Sequence, residues 1–201
     1  FLETDYELSS KTTFSAGLNF NQTSYTLEDN FEVSQNNPDQ SGDFKFKAIL
    51  SPKFGVSHII DNNLTVFSSV SHGFSPISLA ETLLPDGQIN TDLKPETGWN
   101  FEIGSRGTLF QNRLNYAISL YRLNIKNLVV SRRTAQDEFI GINAGATKYD
   151  GLEINVDYSI FKNKKLSIHP FLSYTLNNFK FEEFIDGEND FSGNELTGVP
   201  K

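Results

Sequence analysis

Three histidines, two adjacent arginines and one acidic run are the side chains here whose types could carry chemistry. His58, His72 and His169 could ligate a transition metal if carboxylates converged on them. They fall in separate stretches with no carboxylate spaced to complete a site, so ordinary lumen-facing or interfacial roles are expected. The run Asp186-Gly187-Glu188-Asn189-Asp190 is rich in oxygen ligands. It lacks the spaced pattern and terminal Glu of a calcium loop, and reads as a solvated loop. Arg132 and Arg133 could grip an anionic chelate bidentately, although pairing inside their own loop or with lipid headgroups is the stronger expectation. No nucleophile elbow or phosphate-cradling glycine loop occurs. The absence of cysteine excludes a thiol nucleophile and a disulfide scaffold. Neither enzymatic activity nor a cofactor is expected. Acidic and basic residues are interspersed at a net charge of -8, without the clustered Lys/Arg that displaces counterions, so nucleic acid is not an expected partner.

The elements that carry these residues are extended. Leu114, Tyr116, Ile118 and Leu120 alternate with Asn115, Ala117, Ser119 and Tyr121, and Leu152, Ile154, Val156 and Tyr158 alternate with Glu153, Asn155, Asp157 and Ser159. The same period of two runs through Phe14–Phe20 as numbered 14–20, through 44–56, through 99–106 and through 166–174. Side chains two apart share a strand face, so each segment has one apolar and one polar face. Several alternations last ten residues or more, which matches the ~9–11 needed to cross a bilayer rather than the ~5–6 of a soluble sandwich strand. No apolar run approaches the ~20 residues of a membrane-spanning helix.

Connections alternate in length. Short ones are expected at 9–10, 61–63, 109–112 and 161–165, and long polar ones at 28–42, 75–94, 133–147 and from 177 onward. Tight turns on one side and long loops on the other are the signature of an outer-membrane barrel, with the turns periplasmic. Trp99 and Tyr174 are expected toward the long-loop ends, with Tyr116, Tyr158 and Phe161 toward the short turns, as interfacial aromatics. Pro52 and Pro170 interrupt alternating runs and predict bulges or register adjustments. Arg122 falls in an apolar phase and is tolerable only above the hydrocarbon. The fold expected is all-β, an antiparallel transmembrane sector of about eight long meander strands.

Ser71-His72-Gly73-Phe74-Ser75-Pro76, Leu93-Lys94-Pro95-Glu96, Glu102-Ile103-Gly104, Asn143-Ala144-Gly145, Gly151-Leu152-Glu153 and Gly198-Val199-Pro200-Lys201 occur in that order. Together they resemble the TonB-dependent outer-membrane receptors, siderophore receptors among them, over roughly 44–201. Ile125-Lys126-Asn127-Leu128-Val129 fits the same pattern, while His72 departs from the aromatic or Arg common at its position. The resemblance implies a 22-stranded barrel around a plug domain, of which residues 1–201 would form part of the barrel and no plug. A chain that begins at Phe1 and contains no Met is expected to be an excised segment.

By that resemblance the function would be uptake of an iron–siderophore or similar large nutrient across a Gram-negative outer membrane. Its partners would be outer-membrane lipid, the plug and remaining strands of the same protein, and TonB through an N-terminal region outside these residues. The motif residues Gly73, Phe74, Pro76, Lys94, Pro95, Glu96, Glu102, Gly104, Asn143, Gly145, Gly151 and Glu153 are expected to be structural. Pro95 would fix a strand start, and Gly104, Gly145 and Gly151 would permit bends or bulges. A porin or adhesin barrel, and a soluble all-β carbohydrate-binding module, are the rival readings.

Overall fold

A computed structural model describes residues 1–34, 38–134, 136–162, 166–186 and 188–199. In chain order, β1 (Leu2–Ser9) and β2 (Thr12–Asn21) form a hairpin. β3 (Ser24–Leu27) pairs with β4 (Gly42–Lys45). Next come β5 (Ile49–Asp61), β6 (Leu64–Ser75), the one-turn α1 (Leu79–Thr82), β7 (Glu96–Leu109) and β8 (Leu114–Lys126). A second hairpin, β9 (Val129–Arg133) and β10 (Phe139–Asn143), leads into β11 (Gly145–Tyr158). The short pair β12 (Phe161–Lys162) and β13 (Ser167–Ile168) precedes β14 (Phe171–Asp186) and β15 (Asn189–Asp190).

The long strands form one antiparallel meander in the order β1-β2-β5-β6-β7-β8-β11-β14, with β15 folded back on the end of β14. Eight long strands therefore stand side by side, and the sheet is open at β1 and beyond β14. The long strands from β5 to β14 in this sheet run 12 to 16 residues. They exceed a bilayer crossing and continue past it. No helix among the described residues is long and apolar enough to cross a membrane.

Cross-strand partners share a face, which makes the alternation a continuous surface. One ladder joins Val56, Ser68, Ile103, Leu120, Leu152 and Leu176, and another joins Ser105, Ile118, Ile154 and Tyr174. These residues form an apolar band with no protein cover: Ile103, Leu120 and Leu50 are 60%, 55% and 56% exposed. A soluble domain would bury such a band, because an exposed apolar patch this extensive marks an interface. Only Phe46, Ile77, Ile89 and Leu93 are buried hydrophobics among the described residues, and none belongs to the band. The sheet does not fold on itself as a sandwich; its apolar face is solvated by lipid.

The opposite face is polar. Lys53 Nζ reaches Glu3 Oε1 at 3.0 Å, passing over Gly17, whose register partners are Glu3 and Lys53. Tyr121 crosses Gly151 and its hydroxyl donates to Asn177 Oδ1 at 3.4 Å. A Cβ on Gly151 would stand 2.2 Å from that ring, and one on Gly104 would stand 2.5 Å from the Phe67 ring and 2.6 Å from Ile118 O. Gly104 and Gly151 thus do not make the bends or bulges that the sequence suggested. They are strand positions of unbroken register covered by an aromatic ring from the neighbouring strand, the arrangement by which sheets shield a bare glycine.

Several expectations are corrected. The tail from 177 is not a loop, since β14 continues to Asp186, and residues 145–147 of the third long connection already belong to β11. Tyr174 therefore lies beside Ile154 within the apolar band, not at the long-loop end. Phe44 and Phe46 leave the band as well, because β4 ends at Lys45 and Phe46 packs among the loops. No bulge marks Pro52. The β2–β5 register passes through Leu18↔Pro52 unbroken, and the β5–β6 ladder stops at Lys53↔Ser71, leaving β5 unpaired to β6 at the proline. Pro170 lies outside the strands, just before β14. The register shifts occur instead at Glu7/Ser9, Ile59/Asp61 and Ala146/Thr147. Residues 163–165, Gly187, Pro200 and Lys201, along with the Phe161 side chain, lie outside the described residues.

Arg122 has a partner the sequence reading did not supply. Asp150 stands opposite it on β11, and the pair is bidentate, with Nε to Oδ1 at 2.6 Å and Nη2 to Oδ2 at 3.0 Å. Planar guanidinium–carboxylate pairing of this kind neutralises both charges where the band ends.

Candidate functional site

The long connections meet at one end of the sheet and build a small core of their own. Phe46, Ile77, Ile89 and Leu93 pack together with Tyr25, Leu27 and Phe44 around them. Tyr25 stands edge-on to Phe46 at 5.9 Å, and its hydroxyl donates to Ile77 O. Loops held by buried apolar contacts present a fixed surface, and such loops on a rigid scaffold are where binding residues concentrate.

Within this cap, α1 starts with a complete capping box. Ser78 Oγ accepts from Glu81 N at 3.3 Å, and Glu81 Oε2 accepts from Ser78 N at 2.8 Å. The fully buried Thr82 donates its hydroxyl to Leu79 O at 2.7 Å, and its own carbonyl accepts from Asn90 N at 2.7 Å. β10 lies directly beneath: a Cβ on Gly141 would come within 2.3 Å of Glu81 O, so only glycine permits that approach. The 28–41 segment closes through Asp29, whose carboxylate accepts from Phe31 N at 2.9 Å and Gln40 N at 3.1 Å. Hydrogen bonds from the Ser41 side chain and backbone hold the Asp39 carboxyl below its usual range, and Ser192 does the same for Asp190. Those two carboxylates therefore stay charged to lower pH than an unpartnered aspartate would.

The family-like motif residues converge where the cap joins the barrel wall. Asn143 Oδ1 accepts from Lys94 N at 2.8 Å, while its Nδ2 donates to Lys94 O and to Asn127 O, each at 2.8 Å. Glu96 Oε1 accepts from Val129 N at 2.8 Å. Ala144 N donates to Leu128 O at 2.8 Å, and Leu128 N donates to Gly145 O at 3.0 Å. Asn127 turns the chain with φ of 58°, a conformation asparagine tolerates better than most residues. Lys94-Pro95-Glu96, Asn127-Leu128-Val129 and Asn143-Ala144-Gly145 are thus three segments of one knot, with Pro95 buried in it. Asn143→Ala removes three hydrogen bonds and leaves backbone groups of Lys94 and Asn127 unpaired, at about 1–3 kcal/mol each where burial denies them water. The expected result is a barrel that still assembles but whose 76–95 loop is cut faster by protease in intact cells; an unchanged cleavage rate would refute the clamp.

The remaining motif residues do other work. Gly73 pairs with Gly98 and Phe74 with Thr97 near the top of β6, and Pro76 follows where that strand ends. Glu102 and Glu153 lie on the polar face. Arg133 pairs with Asp137 within the β9–β10 hairpin. Arg132 and Arg133 line a recess of about 450 Å³ with Val130, Ser131, Ile142 and Phe184.

The histidines do not come together; each contacts a different hydroxyl side chain. His58 Nδ1 contacts Thr12 Oγ1 at 2.8 Å, His72 Nδ1 contacts Ser51 Oγ at 3.0 Å and its ring stands edge-on to Trp99, and His169 contacts Ser167. No group of metal-ligating side chains gathers among the described residues. The clamp role of Asn143 and the Arg122–Asp150 pair were not visible in the sequence. Asp150 did carry a signal, being a second charge in the apolar phase of its strand.

Comparison with known proteins adds the missing context. The ferric-pyoverdine M114 receptor PbuA of Pseudomonas sp. (strain M114) is 28% identical over 141 residues, 70% of this chain and 16% of that receptor. The siderophore receptor PiuA from Acinetobacter baumannii superposes with a TM-score of 0.68 at 19% identity, over 98% of this chain and 28% of PiuA. The Serratia marcescens hemophore receptor HasR, solved as a double mutant with its hemophore HasA and heme, superposes with a TM-score of 0.63 at 18% identity, over 90% of this chain and 33% of HasR. The chain spans less than a fifth of the curated relative and about a third or less of these structures. The model of the TonB dependent receptor-like β-barrel family matches residues 1–201 throughout, and the chain belongs to that family of outer-membrane β-barrels.

Proposed function

We propose that this chain is part of a single barrel domain in a receptor that takes up an iron–siderophore or a similar large nutrient across a Gram-negative outer membrane, energised through TonB. The family match over residues 1–201 carries this reading. It is supported by the similarity to the ferric-pyoverdine M114 receptor PbuA. The sheet's open edges at β1 and β14 are where the remaining strands of the barrel would join, and the polar face, with Glu102, Arg106, Glu153 and Asp157 on it, would line a lumen filled by a plug. The ordered loop cap would meet ligand first, with Arg132 and Arg133 as candidate contacts for an anionic chelate.

The test uses the full-length receptor. Binding is measured against ferric siderophores, haem, cobalamin and glycans, and uptake of any ligand found is compared in cells with and without TonB. Saturable binding of a ferric siderophore with TonB-dependent uptake is the expected result. Passive, TonB-independent flux of small solutes would replace this reading with a porin.

A further inference from the structure

From β2 to β14, strand pairing reaches the long-loop end of the wall along every line but one. The β2–β5 ladder runs to Asn21↔Ile49, β6–β7 to Ser75↔Glu96, β7–β8 to Thr97↔Lys126, β8–β11 to Lys126↔Ala146 and β11–β14 to Gly145↔Phe184. The β5–β6 ladder stops at Lys53↔Ser71, so residues 49–52 and 72–75 flank each other without pairing. The cause is Pro52. A hydrogen-bonded antiparallel pair exchanges two N–H···O bonds, and proline has no N–H to give. Leu18↔Pro52 nevertheless belongs to an unbroken β2–β5 ladder. It is therefore a non-hydrogen-bonded pair there, and the Pro52 nitrogen faces β6. By register the next β5–β6 pair would be Pro52 with His72, and that is where pairing ends.

Above that point, among the described residues, side-chain contacts hold the two sides together. Ser51 Oγ contacts His72 Nδ1 at 3.0 Å, the Tyr25 hydroxyl donates to Ile77 O, and Phe46 packs with Ile77, Ile89 and Leu93. The β3–β4 hairpin continues β2 and β5 outward, with Phe46 N donating to Thr23 O at 3.0 Å, and so moves with them. Between the sides lies a cavity of about 530 Å³, with Lys47, Ile49 and Leu50 on one wall and Thr91, Lys94 and Thr97 on the other. Local opening costs least where few backbone hydrogen bonds and little packed apolar surface are given up, and this line has both properties. We infer that the wall parts here: the β3–β4 hairpin and the upper end of β5 form a flap, hinged beside Lys53, that swings away from β6 and the 76–95 loop. Opening the flap widens the mouth of the barrel. The inference rests on the barrel reading and is independent of which nutrient is carried.

The experiment uses the full-length receptor in intact cells and reads thiol accessibility with a membrane-impermeant maleimide; residues 1–201 contain no cysteine. Ser51 and Thr147 are 6% and 0% exposed. Ser51 lies on the unpaired line, whereas Thr147 pairs on both sides, with Ile125 and Phe181. Ser51→Cys should label roughly tenfold faster than Thr147→Cys, because labelling follows the population of the opened wall. Adding Pro52→Ala supplies the missing donor toward β6 and should slow labelling of Ser51→Cys several-fold. Equal labelling of Ser51→Cys and Thr147→Cys overturns the inference, as does labelling that Pro52→Ala leaves unchanged. Ser51→Cys itself gives up the contact with His72, so Pro52→Ala is also made in the otherwise native receptor, where it should slow hydrogen exchange at residues 49–51. Unchanged exchange there overturns the flap even if neither cysteine variant assembles. No readout involves a nutrient, so failure of the flap and failure of the transport reading are distinguishable.

Discussion

Gly145→Ala is expected to destabilise the assembled receptor by about 2–6 kcal/mol, combining the strain of a positive-φ position with the cost of overpacking. Gly145 has φ of 147°, where L side chains are rarely found, and a Cβ there would lie 1.7 Å from Glu183 O, which is backbone and cannot rotate aside. The position also anchors the knot, because Gly145 O accepts from Leu128 N and the β11–β14 register shifts one residue later, between Ala146 and Thr147. Two other glycines separate the causes. Gly193 has φ of 82° with nothing near its Cβ direction, so Gly193→Ala should show the φ cost alone; Gly73 has open space at an unexceptional φ, so Gly73→Ala should be nearly silent. The measurement is the temperature at which each full-length variant loses its compact, unheated gel mobility. A midpoint for Gly145→Ala equal to that for Gly73→Ala would refute the account.

This glycine also marks the boundary of what was legible beforehand. Its place in an Asn-Ala-Gly motif predicted a bend or bulge, and Gly145 has φ of 147° one residue before a register shift. The same reasoning applied to Gly104 and Gly151 predicted bends or bulges where the register runs unbroken, because glycine answers two different demands: an unusual φ, or room for a ring. Only the register, which puts Phe67 opposite Gly104 and Tyr121 opposite Gly151, distinguishes them. Strand alternation was readable because a residue's face depends on its parity alone, and the eight-strand meander followed from it. Strand ends were less readable. Beyond the membrane both faces of a strand are polar, so Asn177, Asn178 and Lys180 look like loop, yet they are held in β14 by pairing with residues 148–151. Asn143 was visible as part of a motif, but its clamp joins residues 16 and 49 positions away, contacts that no local pattern encodes. The candidate site is therefore the part least evident in sequence, since loop cores such as Phe46 with Ile77 and Leu93 have no periodicity.

Arginine on the apolar band should be costly in proportion to depth. At the midplane a lipid-facing Arg costs about 2–4 kcal/mol, falling to about 0–1 near the interface. Arg122 and Asp150 mark the upper limit of the band on their strands. Leu120 lies two residues below Arg122, and Ile154 lies four residues below Asp150. At ~3.3 Å per residue and a strand tilt near ~45°, those offsets correspond to depths of about 5 Å and about 9 Å below the pair. Leu120→Arg can draw its guanidinium up toward that polar layer, whereas Ile154→Arg has farther to reach and no nearby carboxylate on its own face, its register partners being Ile118 and Tyr174. Ile154→Arg should therefore reduce the assembled fraction more than Leu120→Arg does. Ser119→Arg and Asn155→Arg, one residue away on the polar face, should assemble close to wild type. Heat-modifiable mobility of the full-length receptor in outer-membrane fractions measures all four. If the polar-face pair failed and the band pair assembled, the two faces would be reversed. Equal assembly of Leu120→Arg and Ile154→Arg would instead show that the Arg122–Asp150 pair does not mark the edge of the hydrocarbon.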